Sequence, residues 1–224
     1  MVLIWGMWLP YTKRMNRKAV LFDMDGVIID SEPAHEAAFL HTLVAAGEAP
    51  TGNWYKQHFA GKTDEAGFRS YFGSKSPPDI SWLMRSKTTF YTQHLSTEVT
   101  PYAATVATVK ELHAQRTTLG LVTSSSREEA EAILTTLELL PLFSVVVYAE
   151  YVILGKPNPE GYIQAMRALD ATPDRCTIIE DSPSGVAAAK AAGAKVIALQ
   201  HTHTPAELYE ADVVTEQIDA RLLQ

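Results

Sequence analysis

Residues 18–27 constrain the fold of this chain more strongly than any other stretch. The apolar run at residues 19–22 is too short for a helix and is typical of a buried strand in a parallel sheet. Asp23 and Asp25 follow this run, and Gly26 comes next. Because ligands of open α/β sheets bind at the carboxyl ends of the strands, we expect both acids to face a binding crevice. A bound cation would keep both carboxylates ionised; the alternative is a solvated Asp-x-Asp-Gly turn.

Strand patterns and helix patterns alternate over the second half of the chain. Further strands are predicted at residues 119–122, 145–148, 177–179, 195–199 and, at an edge, 213–214. Helical patterns precede or follow these runs, at residues 105–113, 127–139, 159–169 and 183–193. Ser126 with Glu129, and Thr204 with Glu207, have the spacing of capping boxes, which begin helices. The alternation predicts an α/β fold with a Rossmann-like, doubly wound parallel sheet.

The region after the first strand has a different character. Residues 31–100 contain no strand-like apolar run, and their helical patterns are interrupted by glycine and proline. We therefore predict a helical domain over residues 31–100, inserted into a core formed by residues 15–30 and 101–224. Residues 1–14 form an N-terminal extension, which we interpret as an upstream start or a disordered segment.

Composition and charge argue against several classes of protein. The 224-residue chain is 46% hydrophobic and 20% charged, which is ordinary for a soluble globular protein. Its formal net charge of −7 argues against nucleic-acid binding, which usually requires a basic surface. The apolar residues 2–9 are too few to span a bilayer, so we expect no membrane association. Cys176 is the single cysteine and cannot form an internal disulfide, which favours a reducing, cytoplasmic setting.

Polar and charged residues follow several of the predicted strands. The carboxyl ends of parallel strands lie at one edge of the sheet, so we expect these residues to converge. Carboxylates from two strands suit Mg²⁺, and hydroxyls with a lysine suit phosphate oxygens. Each segment alone is also explained by a helix cap or a solvated loop, but their joint placement favours one shared site. The candidates are Asp23 and Asp25, then Thr123, Ser124 and Ser125, then Lys156, then Glu180 and Asp181.

Four segments, in this order, resemble the signature motifs of the haloacid dehalogenase superfamily. They are residues 22–27, 121–124, 155–157 and 179–182. The resemblance extends over about residues 18–214. The predicted helical domain occupies the position of the cap domain in the subfamily that contains phosphoglycolate phosphatases and β-phosphoglucomutases. One such motif would be weak evidence, whereas four with this spacing are strong.

The resemblance implies a role for each catalytic candidate. Asp23 is the nucleophile that forms an aspartyl-phosphate, and Asp25 is the general acid that later acts as a base. Thr123 binds the transferring phosphoryl group, together with the backbone N–H of Ser124. Lys156 balances the charge of Asp23 and of the phosphoryl oxygens.

The resemblance also implies a Mg²⁺ site. Asp181, with Glu180 nearby, holds the ion together with Asp23 and the backbone carbonyl of Asp25. Residues 201–203, His-Thr-His, have no third nitrogen or sulfur ligand nearby in the sequence, so we interpret them as a polar loop.

Substrate choice is expected to depend on the cap. In β-phosphoglucomutases the cap loop carries a lysine before its glycine and an arginine three positions after it; here these places hold Ala60 and Asp64. This difference favours phosphate hydrolysis over phosphate transfer, although Lys62 or Arg127 could replace the missing cations. The substrate-binding candidates are Ser124, Ser125, Gly61, Lys62, Arg127 and His35.

The resulting hypothesis is a Mg²⁺-dependent phosphatase that acts on a small phosphorylated metabolite such as a sugar phosphate. The alternative within the family is a β-phosphoglucomutase-type phosphomutase. A phospho-accepting receiver domain is a more distant alternative, because receivers are shorter, lack a helical insert and carry the accepting aspartate on a middle strand in chain order rather than on the first. We expect the enzyme to be a monomer or a weak homodimer whose partner is its small-molecule substrate.

Overall fold

The computed structural model describes residues 17–59, 64–73, 75 and 78–223, and it shows eight strands within them. In chain order these are β1 (Arg17–Phe22), β2 (Ile29–Asp30), β3 (Thr100–Pro101), β4 (Thr118–Val122), β5 (Val145–Val147), β6 (Ala171–Glu180), β7 (Lys195–Leu199) and β8 (Val213–Thr215). Six of them form one parallel sheet in the order β5-β4-β1-β6-β7-β8. Strand β1 therefore lies in the middle of the sheet, with β8 at an edge as predicted.

Eight α-helices are described. They are α1 (Glu32–Ala45), α2 (Trp54–His58), α3 (Asp64–Phe72), α4 (Ile80–Glu98), α5 (Ala103–Ala114), α6 (Arg127–Thr136), α7 (Glu160–Ala168) and α8 (Pro183–Ala191). Helices α5 to α8 alternate with the strands of the parallel sheet, which confirms the predicted α/β, Rossmann-like fold. Among the described helices none is both long and apolar enough to cross a bilayer.

The sheet is buried on both faces, as its continuous apolar strands predict. Successive side chains of a strand point to opposite faces. Accordingly Val20 and Phe22 belong to one hydrophobic cluster, whereas Ala19 and Leu21 belong to another. All four side chains are almost fully buried. This double burial holds the end of β1 rigidly, and Asp23 follows it directly.

Helices α1 to α4 form a segment, residues 32–98, that we call the helical segment. Its aromatic and aliphatic side chains make a hydrophobic cluster separate from the two that cover the sheet: Phe39, Leu43, Trp54, Tyr55, Phe59, Phe68, Phe72 and Leu83. The chain enters and leaves this segment through β2 and β3, which pair antiparallel with Ile29 opposite Pro101. The domain boundaries proposed from the sequence stay a prediction, and residues 1–14 lie outside the described residues.

Two local predictions have different outcomes. The capping box of Ser126 and Glu129 is present at the start of α6 and is confirmed. At Thr204 the backbone N–H and the hydroxyl both donate to the Glu207 carboxylate, but residues 205–210 form turns, so the helix predicted there is wrong. Leu208 is the single buried side chain of this stretch, and a helix without an apolar face gains too little from packing to form.

Candidate active site

The site begins where three neighbouring strands end. Asp23 follows β1, Thr123 follows β4 and Asp181 follows β6. The sheet hydrogen bonds continue one residue past the strands: the Asp23 N–H donates to Ile179 O, and the Thr123 N–H donates to Val147 O, each at 3.0 Å. These bonds fix the backbone under both side chains, so the sheet itself sets the position of each functional group.

Lys156 connects two of the acids. Its Nζ lies 2.9 Å from Asp23 Oδ1 and 2.6 Å from Glu180 Oε1. Burial alone would lower the pKa of Lys156, but the Asp23 and Glu180 carboxylates raise it above its ordinary value, so the side chain is a cation. The loop that follows β5 therefore brings Lys156 to the ends of β1 and β6.

Asp23, Glu180 and Asp181 form an acidic cluster in which one carboxylate oxygen of each lies within 4.8 Å of the others. All three residues are buried. Burial raises the pKa of Asp23 well above its usual value, and burial together with the Glu180 charge raises the pKa of Asp181 to about 7. A set of buried carboxylates held this close suits a divalent cation with oxygen ligands, because the cation would keep them ionised.

Glu180 differs from the other two acids because protein donors already surround it. Oε1 accepts from Lys156 and from the Tyr162 hydroxyl, at 2.6 and 2.5 Å. Oε2 accepts from the Asp181 N–H at 3.1 Å. A Cβ at Gly185 would lie 2.0 Å from the Glu180 carboxyl group, so the first turn of α8 closes over it. These contacts fix Glu180 as the buried counter-charge of Lys156.

Asp181 is held by residues that follow β7. The Thr202 hydroxyl donates to Asp181 Oδ2, and His203 Nδ1 lies 3.1 Å from the Asp181 carbonyl oxygen. Gly26 approaches from the other side with a φ of +73°, and a Cβ there would lie 1.9 Å from Asp181 Oδ2. Only glycine allows the turn after β1 to come this close to the carboxylate.

A cleft of about 770 Å³ opens above these groups, between the sheet and the helical segment. Asp23, Asp25, Lys156 and Asp181 line its floor, and Tyr55 of α2 is among the residues that line it from the helical segment. Within it, Asp25 Oδ2 accepts a hydrogen bond from Ser125 Oγ at 2.8 Å. The volume suits a small organic phosphate.

The sequence matches a family model described as haloacid dehalogenase-like hydrolase over residues 20–199. The chain belongs to this hydrolase family. It is 32% identical over 213 residues to a validoxylamine A 7′-phosphate phosphatase of Streptomyces hygroscopicus subsp. limoneus, covering 90% of this chain and 94% of the relative. It is also 32% identical over 206 residues to hexitol phosphatase A of Escherichia coli strain K12, covering 92% and 93%.

Solved structures agree with the family. The crystal structure of CbbY from Rhodobacter sphaeroides in complex with phosphate has a TM-score of 0.77 and 25% sequence identity to this hydrolase, covering 90% of this chain and 95% of that one. The enzyme class and the superfamily predicted from the four motifs are confirmed.

The helical segment of the hydrolase brings a second polar group to the boundary with the sheet. The His35 ring stacks on the Tyr91 ring with 4.4 Å between centroids. Lys87 is buried; its Nζ lies 4.7 Å from the centroid of the Tyr91 ring and 3.1 Å from Asp64 Oδ2. Burial, and then the Lys87 charge, lower the pKa of His35 to about 4, so His35 is neutral at pH 7.

Some of the predicted substrate-binding residues of the hydrolase lie at the cleft and others do not. Ser124 is exposed and lines the cleft, and Ser125 contacts Asp25. Arg127 points elsewhere: its Nε bonds to Glu131 at 2.8 Å, and it is not among the residues that line the cleft. Gly61 and Lys62 lie outside the described residues, so their assignments stay predictions.

Several residues of the hydrolase site are not among the candidates predicted from the sequence. Thr202 could have been found, because it follows β7 and the strand-end argument applies equally to that strand. Tyr162, Lys87 and Tyr91 gave no such signal, since each is a helix residue that reaches the site only through tertiary packing.

Proposed function

We propose that this hydrolase is a Mg²⁺-dependent phosphatase that acts on a small phosphorylated metabolite, such as a sugar phosphate. The observation that carries the proposal is the position of Asp23. One of its oxygens is held at 2.9 Å by Lys156, and the carboxylate lies within the acidic cluster at the floor of the cleft. Lys156 and a cation bound at the cluster would together neutralise part of the charge of a phosphate. A carboxylate held between them is therefore placed to attack that phosphate.

In the proposed first step, a carboxylate oxygen of Asp23 attacks the phosphorus atom and the bond to the leaving oxygen breaks. Asp25 gives its proton to that oxygen, so the alcohol leaves neutral. The hydroxyl of Thr123 and the backbone N–H of Ser124 bind the phosphoryl oxygens, and Lys156 offsets their charge. The product of this step is an aspartyl-phosphate at Asp23.

In the proposed second step, Asp25 takes a proton from water, and the water oxygen attacks the same phosphorus. The bond to Asp23 breaks, which releases phosphate and restores the carboxylate. We assign Asp23 and Asp181 as the carboxylates that hold Mg²⁺, and Glu180 as the partner of Lys156, since its oxygens are already occupied by donors. Bound Mg²⁺ would neutralise charge on the phosphoryl group.

The relatives support a sugar phosphate as substrate. One is named a hexitol phosphatase and another a validoxylamine A 7′-phosphate phosphatase. The cleft also offers a chemically suitable lining, since Tyr55, Tyr102 and several carboxylates can bind the hydroxyl groups of a polyol.

Hydrolysis is favoured over phosphate transfer between sugar positions. A mutase must hold a second phosphate of a bisphosphate away from Asp23, and this requires an uncompensated cation. Lys87, the buried cation of the helical segment, is already paired with Asp64 at 3.1 Å. Neither residue of this pair lines the cleft, so a second phosphate would have to be held by Lys56, an exposed lysine of α2 that does line it.

The test is phosphate release from hexose, hexitol, pentose and glycolate phosphates with Mg²⁺, and with EDTA as the metal-free control. Wild-type protein is expected to release phosphate from at least one sugar phosphate, and Asp23→Asn is expected to abolish the release. Asp174→Asn, a matched change at an exposed acid of β6 outside the cleft, should keep full activity. Conversion of glucose 1-phosphate to the 6-phosphate with a bisphosphate primer, without phosphate release, would replace the phosphatase with the mutase.

A further inference from the structure

The two oxygens of Asp25 have different surroundings. Oδ2 accepts a hydrogen bond from Ser125 Oγ at 2.8 Å, between residues 100 positions apart in the chain. Oδ1 is buried and has no hydrogen-bond partner among the described residues. A buried carboxylate oxygen without a partner is costly, so a group that binds there during the reaction is expected.

Ser125 is itself held on both sides. Its N–H donates to Thr123 Oγ1 at 3.0 Å, and its carbonyl oxygen accepts from the Ala149 N–H at 3.1 Å. Ser126, the next residue, caps helix α6. The Ser125 hydroxyl therefore projects from a backbone that three elements fix, which is the condition for orienting another side chain.

We propose that Ser125 is a positioning residue for the general acid: it holds Asp25 Oδ2, so that Oδ1 is the oxygen that gives the proton to the leaving group. This inference rests on the proposed function and deepens it. When the phosphorus–oxygen bond breaks, the proton moves from Oδ1 to the leaving oxygen, and the resulting carboxylate keeps its hydrogen bond from Ser125. This role differs from the direct substrate binding that the sequence predicts for Ser125.

The test compares two esters that differ in their need for an acid. p-Nitrophenolate leaves without a proton, whereas the alkoxide of an alkyl phosphate such as a hexitol phosphate requires one. For Ser125→Ala we expect kcat/KM on the alkyl ester to fall by about 10–100-fold, and on p-nitrophenyl phosphate by less than about 3-fold. Ser125→Thr, which keeps the hydroxyl, should restore much of the loss, and Ser144→Ala, an exposed serine before β5, should change neither ester.

A second experiment distinguishes the positioning of Asp25 by Ser125 from a general structural effect of the substitution. The ratio of the two kcat/KM values does not depend on how much of a variant is folded. In an Asp25→Asn background, Ser125→Ala should leave this ratio unchanged, because the acid that it orients has been removed.

Equal losses on both esters, or an unchanged alkyl ester, would overturn the role of Ser125 while leaving the phosphatase intact. Wild-type protein that hydrolyses neither ester with Mg²⁺ would overturn the proposed function, and this inference with it.

Discussion

Lys156 is the residue on which the charge of the site depends. Burial works against ionisation of Asp23, and Lys156 is the largest influence in the opposite direction, since it lowers the pKa that burial raises. Glu180 holds the same ammonium at 2.6 Å, so Lys156 lies between two buried carboxylates. The charge of the proposed nucleophile therefore depends on Lys156, and the position of Lys156 depends in turn on Glu180.

His35 gives the chain a measurable response to acid. Its pKa is about 4 in the folded protein, because burial and Lys87 oppose its charge, and about 6.5 in the unfolded chain. Between these two pH values the unfolded state therefore binds more protons than the folded state. The contribution of neutral His35 to the free energy of unfolding is fully present above pH 6.5 and is lost as the pH falls toward 4. From pH 7 to pH 5 the expected loss is about 1–2 kcal/mol in the free energy of unfolding.

Urea unfolding at both pH values measures this loss. His35→Gln should lose less stability than the wild type on the same change of pH, whereas His113→Gln, at an exposed position of α5, should behave as the wild type. An identical pH dependence for His35→Gln and wild type would show that His35 does not titrate as described.

At the scale of the elements, the turn after β1 tolerates a side chain least, because Gly26 has a positive φ and lies against Asp181. Gly26 and Gly47 both have a positive φ, +73° and +83°, but only Gly26 has a neighbour in the way of a side chain. Gly26→Ala should therefore displace Asp181 and reduce phosphatase activity by at least about 100-fold, whereas Gly47→Ala should cost about 1 kcal/mol of stability through backbone strain alone.

Activity assays and thermal unfolding of the two variants check this prediction. Because both changes add the same methyl group in the same backbone region, the comparison isolates the contact with Asp181. Full activity of Gly26→Ala would mean that the turn can move away from the carboxylate without harm to the site.

Strands and their ends could be predicted because the signal is local. Runs such as residues 119–122 are apolar over their whole length, and the residue after each run is read directly from the sequence. The β2–β3 pair was missed, since two strands of two residues each carry no periodicity. Contacts such as Tyr162 to Glu180, or Lys87 to Tyr91, depend on how helices rotate when they pack, which no single stretch encodes.

At the scale of the whole molecule, metal binding and stability are linked. A cation that binds only the folded protein stabilises it, by about 2.7 kcal/mol at a concentration 100 times its Kd. The buried cluster of Asp23, Glu180 and Asp181 should make this effect large, because the cation also relieves repulsion between the acids. The melting temperature of the wild type is therefore expected to rise with added Mg²⁺ and to fall again with EDTA.

Thermal unfolding with and without Mg²⁺ tests the linkage without an activity assay. Asp181→Asn should abolish most of the Mg²⁺-induced rise, and Asp174→Asn should retain it. A rise of equal size in both variants would place the ion elsewhere in the protein.

The narrow β2–β3 ribbon has a consequence for how such enzymes diversify. Both ends of the helical segment pass through this separate two-stranded ribbon, with Ile29 beside Pro101, so the strands that carry the acids do not thread through the segment. Helices can be lengthened, exchanged or rebuilt beyond that junction while the chemistry beneath stays in register. The ribbon therefore allows substrate preference to change in evolution while the reaction stays the same.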